Sequence, residues 1–144
     1  DPALAAALTE LPGWLSLPAE VAVGRIAATG VEPGQQDGWQ GISPFVTSSV
    51  LWSIYAFLRS PDDYLDTICT AIAAGGDVDT TAAMAGAISG ARLGLAALPT
   101  ELTRHLTDRG TWGLDELLDL AECCHEQKFG RRRPGLLARL FGRR

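Results

Sequence analysis

Long apolar runs are absent from this sequence: Ser, Thr, Gly or a charged residue interrupts every stretch before it reaches the roughly 18 residues that a membrane-spanning helix needs. No membrane span is expected. The N-terminal region has neither the basic start nor the apolar stretch of a signal peptide, so the expected location is cytoplasmic. Cysteine is scarce. Cys69, Cys123 and Cys124 form an odd set without C-x-x-C spacing, which argues for buried or half-buried thiols in a reducing compartment over a zinc or redox site. Methionine occurs once, as Met84, and the chain opens at Asp1, so a piece of a longer polypeptide is expected. His105 and His125 lack partners at ligand spacing and are expected on helix surfaces. No segment of useful length alternates as strands do, and the expected fold is all-α.

Acidic residues also stop early. None follows Glu126, whereas Lys128, Arg131, Arg132, Arg133, Arg139, Arg143 and Arg144 supply seven of the twelve basic residues. The net charge of −5 therefore divides into a body with five basic and seventeen acidic residues, about −12 by subtraction, and a basic tail over residues 128–144. In that tail Leu136, Leu137, Leu140 and Phe141 alternate with arginine, which suits an anionic surface or a solubilising end; the solubilising end is the preferred reading, and nucleic acid is not expected as a partner.

The 144 residues, 47% of them hydrophobic, suit one domain with a real core. Proline and glycine divide it into helices. A first helix runs from Pro2 to Leu11, broken by Pro12-Gly13, and a second from Pro18 to Ala28, with Val21 and Ile26 on its apolar stripe and Gly30 at its end. Val31 to Gly41 is loop by composition. Phe45 to Leu58 repeats apolar residues at helical spacing through Val50, Leu51, Ile54, Phe57 and Leu58. Ser60-Pro61-Asp62-Asp63 reads as an N-cap, a proline at the first helical position and two acids, opening a helix to Ala74 with Tyr64, Leu65, Ile68 and Ile72 on one side. Thr80 to Leu98 follows, with Gly86, Gly90 and Gly94 along one edge, as expected for a central buried helix that neighbours approach closely. Pro99 opens a further helix to Arg109, and Leu114, Leu117, Leu118, Leu120 and Ala121 mark a last one to Gln127. Trp14, Trp39, Trp52 and Trp112 are chiefly packing residues, although Trp39, beside a glycine-rich loop, is placed to stack on an adenine.

The chemistry concentrates at Gly75-Gly76-Asp77-Val78-Asp79-Thr80. Side chains two apart in an extended loop point the same way, so Asp77 and Asp79 can offer oxygens to one cation while Thr80 adds a neutral one. An all-oxygen set suits Mg²⁺ or Mn²⁺ better than zinc. Spacing alone also fits a plain helix cap, because caps are rich in Asp and Thr. The acids do not match an EF-hand loop, which requires a third ligand and a glycine in fixed register.

The full string, Gly75-Gly76-Asp77-Val78-Asp79-Thr80 and then Ala82-Ala83-Met84-Ala85-Gly86-Ala87-Ile88-Ser89-Gly90-Ala91 with Gly94 and Pro99 beyond, resembles the C-terminal signature of the ADP-ribosylglycohydrolase family, including its dinitrogenase-reductase-activating members. Ser49-Val50-Leu51-Trp52-Ser53-Ile54-Tyr55 is similar to the helix that precedes the signature in that family. The resemblance spans roughly residues 41–99. It implies a compact orthogonal multi-helix bundle, incomplete in this chain, with residues 1–127 as the C-terminal helical part. It implies hydrolysis of N- or O-glycosidic ADP-ribosyl linkages at a binuclear Mg²⁺ or Mn²⁺ centre, acting on an ADP-ribosylated protein or a small ADP-ribose derivative. By position Asp77, Asp79 and Thr80 match the family's C-terminal metal ligands, and Gly41, Ile42 and Ser43 lie where members approach the substrate; no catalytic residue falls in this half.

Two departures concern single residues, Val78 between the acids and Leu51 where proline is frequent. A larger one is the lack of the Thr-Asp-Asp metal motif that members carry in their N-terminal half. Two divalent ions bring four positive charges against the two negative charges of Asp77 and Asp79, so an N-terminal segment or chain is expected to complete the site. The alternatives are a non-catalytic helical binding module on the same scaffold, and an unrelated helical adaptor in which Asp77-Val78-Asp79 is only a cap.

Overall fold

The computed structural model describes residues 1–130 other than Pro33, Gln36 and Asp37, so the arginine-rich stretch from Arg131, and most of the expected basic tail, lie outside the described residues. The described elements are helices and turns, with one isolated parallel bridge, between Ile42 and Gly76. The all-α expectation holds. By contact density the chain forms two units, Asp1–Leu98 and Pro99–Arg144.

In the first unit, α1 spans Pro2–Trp14 and α2 spans Ala19–Ala27. Asp1 caps α1, its carboxylate accepting from the Ala3 N–H at 2.8 Å and the Leu4 N–H at 3.3 Å. Pro12 does not end the helix as expected. It forfeits its own bond to the preceding turn, but Leu11 and Trp14 are buried on either side of it and hold the last turn in place. On α2 the buried residues are Ala22 and Ile26, while Val21 faces outward.

Helix α3, Val46–Arg59, is the centre of this unit: α1, α2, α4 and α5 all pack on it. That corrects the expectation that the glycine-bearing helix would be central. Leu51, Trp52, Tyr55 and Ala56 supply the apolar part of the buried surface of α3, and Thr47, Ser48, Ser49 and Ser53 supply the rest. Leu51, Trp52 and Tyr55 form the main core with Ala7, Leu11, Trp14, Ala22, Ile26 and Ile42, and Ala56 joins Ala71 and Ala85 in a smaller second cluster. A helix buried on so many sides keeps hydroxyls inside only when they find acceptors. Ser48 donates to the Phe45 carbonyl at 2.9 Å, Ser49 to the Ser43 carbonyl at 3.0 Å and Ser53 to the Ser49 carbonyl at 2.7 Å.

Helix α4, Tyr64–Ala73, begins later than expected. Ser60 closes α3 instead of capping α4, and the cap is Asp63, whose carboxylate accepts the Asp66 N–H at 2.9 Å. Its buried face is Thr67 and Ala71, while Leu65 and Ile72 are exposed. The Trp52 indole N–H crosses from α3 to the Ala71 carbonyl at 2.9 Å, tying the two helices at a fully buried point.

Helix α5, Val78–Leu93, buries one face through Thr81, Ala85, Gly86 and Ser89 against α3 and α4. Of the three glycines expected to permit close approach, Gly86 does so most: a Cβ there would lie 3.0 Å from Ile68 Cδ1 and 3.1 Å from the Tyr64 hydroxyl. Gly94 has another role. Its φ of +75° ends the helix before a short 3₁₀ turn, Leu95–Ala97. Arg92, in the last turn of α5, pairs with Asp62 at 2.8 Å and donates to the Pro61 carbonyl at 3.1 Å.

The second unit holds α6, Thr100–Thr103, and α7, Leu114–Phe129. The Glu116 carboxylate accepts the Gly113 N–H at 2.9 Å at the start of α7, and Gly130 closes the helix with φ +75°. Lys128 lies in the last turn of this helix. None of the α7 residues is buried, and Leu117 and Leu120 are exposed. His105 and His125 are both on the surface. Cys123 is half-buried, within the expectation of buried or half-buried thiols, whereas Cys69 and Cys124 are exposed.

Replacing Trp52 with Phe leaves the Ala71 carbonyl without its donor and removes ring volume from the core. A loss of about 2–4 kcal/mol in unfolding free energy is expected by urea denaturation, against less than about 0.5 kcal/mol for Leu65→Gln on the exposed face of α4. Equal losses in the two variants would contradict this assignment of buried faces.

Candidate functional site

Two loops far apart in sequence meet at the bridge. The Ile42 N–H donates to the Gly75 carbonyl at 3.1 Å, and the Ile42 carbonyl accepts the Asp77 N–H at 2.7 Å. That carbonyl also accepts the Trp39 indole N–H at 3.1 Å. The backbone of Gly41-Ile42-Ser43 is thereby fixed against Gly75-Gly76-Asp77, so the structure brings together the two stretches that the sequence marks separately.

Glycine is required at two points of this crossing. A Cβ on Gly41 would fall on the carbonyl oxygens of Ala74 and Gly75, and one on Gly76 would overlap the Ile42 carbonyl. Both residues also have positive φ, +79° and +84°. Gly75, at φ +71°, has the same backbone demand but open space around it.

Buried hydroxyls hold both strands of the crossing from beneath. Ser49 binds the Ser43 carbonyl, and Ser53 reaches the Thr81 carbonyl at 3.2 Å. Thr81 in turn donates to the Asp77 carbonyl at 3.1 Å, with the Ala71 carbonyl at 3.5 Å. Sequence reasoning passed over Thr81 and the two serines. Their signal was a run of small hydroxyl residues at buried helical spacing on α3, visible as Ser49 and Ser53 one turn apart.

Asp77 occupies the N-cap position of α5, yet its side chain caps no helix N–H. It contacts Asp79 instead. Asp79 lies in the first turn of the helix and not in an extended loop, so the two carboxyls converge across a helix start. The hydrogen bond from the Asp77 side chain, together with the Thr80 and Asp79 N–H groups, holds the Asp79 carboxyl below its ordinary range. The Thr80 N–H lies 3.0 Å from the Asp79 carboxylate. Asp79 and Thr80 are exposed and Asp77 is half-buried. Asp77, Asp79 and Thr80 thus place three oxygen-bearing side chains at one helix start, the donor chemistry that a hard cation takes. Among the described residues no group of three or more His, Cys, Asp or Glu gathers around a possible metal position.

Of the three residues placed near a substrate, Ile42 is fully buried in the core and Ser43 is nearly so, its hydroxyl accepting the Phe45 N–H at 3.3 Å. The backbone of Ile42 is taken up by the bridge and by Trp39. Gly41 is the half-exposed member of the segment, and the Trp39 ring, 49% exposed, stands beside it.

The fold and site define an all-helical protein with a paired-carboxylate helix start locked to a glycine-dependent loop. The ADP-ribosylglycohydrolase family model matches residues 1–134, and the chain belongs to that family. No curated protein and no solved structure matches it significantly.

Gly76→Ala combines an unfavourable φ with a steric overlap, and a loss of at least about 3 kcal/mol is expected in chemical denaturation, against about 1 kcal/mol for Gly75→Ala. Similar losses in the two would show that the close approach to Ile42 is not what constrains Gly76. Because its folded-state pKa is depressed, Asp79 stays ionised as pH falls until the lowered value is reached; any stabilisation it gives is present above the unfolded value and lost below the folded one. Carboxyl-carbon NMR titration should place its midpoint below that of an ordinary aspartate, moving upward in Asp77→Ala. A midpoint at or above the ordinary value would contradict the hydrogen bond from Asp77.

Proposed function

We propose that this chain contributes Asp77, Asp79 and Thr80 to a metal centre that hydrolyses N- or O-glycosidic ADP-ribosyl linkages. The observation that carries the reading is the convergence of the Asp77 and Asp79 carboxyls, with Asp77 free of capping, next to the Gly41–Ser43 segment in a member of the ADP-ribosylglycohydrolase family. The donor set fits Mg²⁺ or Mn²⁺: two carboxylates and a hydroxyl, all hard oxygen ligands.

Divalent ions held by Asp77, Asp79 and Thr80, with ligands from elsewhere, would supply Lewis acidity toward ribose hydroxyls and an activated water. The chain's own residues do the positioning. Ser53, Thr81 and the Ile42 carbonyl fix the backbone from which the acids project, Gly41 admits the Ala74–Gly75 backbone that brings the two loops together, and Trp39 offers a flat apolar face for an adenine ring. The remaining metal ligands come from an N-terminal segment or partner chain, with this chain as the C-terminal half of the catalytic domain. The substrate is an ADP-ribosylated protein or a small ADP-ribose derivative, and the reaction takes place in the cytoplasm.

A second reading is a non-catalytic helical module that keeps the family scaffold to bind ADP-ribose or a partner. It is favoured by the finding that only two acids meet at the site among the described residues.

Calorimetric titration of Mn²⁺ in the presence of ADP-ribose separates the two. Wild type is expected to bind, with a loss of at least about tenfold in Asp79→Ala, equivalent to roughly 1.4 kcal/mol. Identical isotherms for the two proteins would remove Asp79 from metal binding and leave the second reading.

A further inference from the structure

Helix α7 buries none of its sixteen residues. Four of them, Leu117, Leu120, Ala121 and Cys124, follow one another at steps of three, one and three, which places them in one stripe along the helix. All four are exposed, Leu117 and Leu120 to 43% each. An isolated helix of this length is marginal in water and draws most of its stability from a covered apolar face. The other helix of the unit among the described residues, α6, has four residues and is too short to cover it. The stripe needs an occupant.

Chain position, charge and pattern converge on one. The fourteen residues 131–144 follow α7 directly, beyond Gly130, whose φ of +75° turns the chain off the helix axis. Helix α7 carries Asp115, Glu116, Asp119, Glu122 and Glu126 against Lys128 alone, five acids to one base and a net charge of −4, whereas residues 131–144 hold six arginines and no acid. A second copy of α7 would bring like charge to the stripe; the tethered arginines bring the opposite charge at an effective concentration on the order of millimolar. Arg131, Arg132 and Arg133 also come where the negative end of the α7 dipole favours cations. Leu136, Leu137, Leu140 and Phe141 recur at helical spacing, an apolar face to match the stripe. Arg131 to Gly135 has the usual length of a link between antiparallel helices, and Pro134-Gly135 punctuates its end. From Leu136 onward, nine residues at a helical rise of about 1.5 Å run back roughly 14 Å, enough to pass Cys124 and Ala121 and reach Leu120.

We propose that residues 131–144 fold back on α7 within one chain, laying Leu136, Leu137, Leu140 and Phe141 along Leu120, Ala121 and Cys124 while the arginines answer the acids of the helix. The family model ends at residue 134, so the apolar part of this segment lies beyond the family match. The contact is independent of the proposed metal centre.

Methyl NOE spectroscopy and amide hydrogen exchange on the full chain test it. NOEs are expected from the Leu137, Leu140 and Phe141 side chains to the methyl groups of Leu120 and Ala121, and in a mixed sample of labelled and unlabelled protein they should arise within one chain. The double variant Leu137→Asp/Leu140→Asp touches no residue of α7, yet exchange at the amides of residues 121–125 should quicken about tenfold. Ala121→Lys, which keeps a strong helix former, should quicken it from the other side of the contact. In both variants the α3 amides should keep their wild-type rates, which reports an intact first unit. Sodium chloride at about 1 M should also speed exchange in α7, because the exposed charge attraction is screened. The proposal is overturned by the absence of these NOEs, by NOEs that arise only between chains and so make a second copy the occupant, by α7 exchange that is unchanged in the double variant, or by equal quickening in α3.

Discussion

The structure around the acid pair depends on the carbonyl oxygen of Ile42. That carbonyl accepts the Asp77 N–H while the N–H of the same residue donates to the Gly75 carbonyl, so a single residue closes both ends of a two-bond parallel bridge. The side chain of the same residue is fully buried in the main core. Position is therefore imposed from the interior outward: the core fixes Ile42, Ile42 fixes Asp77, and Asp77 begins the helix that carries Asp79 and Thr80. A bridge of this kind has no neighbouring ladder to share its load, which is why the approach must be close and why glycine is needed at Gly41 and Gly76.

Hydroxyl groups do on α3 what branched apolar side chains do in most helix cores. Ser49 and Ser53 satisfy themselves on carbonyls of a loop and of α5 as well as within α3, and each bond has a direction that apolar contact lacks. Such bonds fix the rotation of α3 relative to its neighbours. Trp52 does the same toward α4 with its indole N–H. The smallness of Ser and Ala lets four helices reach α3, and the hydrogen bonds determine where they stop.

Much of this was legible in the sequence. Helix existence followed from periodicity and from proline and glycine punctuation, and the Gly75–Thr80 stretch stood out because paired acids after paired glycines are chemically conspicuous. What was not legible involves tertiary context. Leu65 and Ile72 looked like core residues by hydropathy, yet α4 buries Thr67, whose hydroxyl donates to the Ser60 and Asp63 carbonyls, and Ala71, which packs with Ala56 and Ala85. Ser60 looked like a cap, yet Asp63 takes that role once Ser60 closes the preceding helix. Gly86, Gly90 and Gly94 suggested a central helix, whereas centrality belongs to α3, whose apolar residues marked it as a helix but whose buried Thr47, Ser48, Ser49 and Ser53 gave no sign that it is buried on so many sides. The meeting of Gly41–Ser43 with Gly75–Asp77 could not be read from composition, since it joins residues more than thirty positions apart.

The indole of Trp39 shares its acceptor with the Asp77 amide. The ring is half in solvent while its N–H bears on the same oxygen that positions the first acid. The surface aromatic and the acid loop therefore meet at one atom: the Ile42 carbonyl divides its two lone pairs between the Trp39 indole and the Asp77 amide, which leaves no free acceptor capacity there for a third donor.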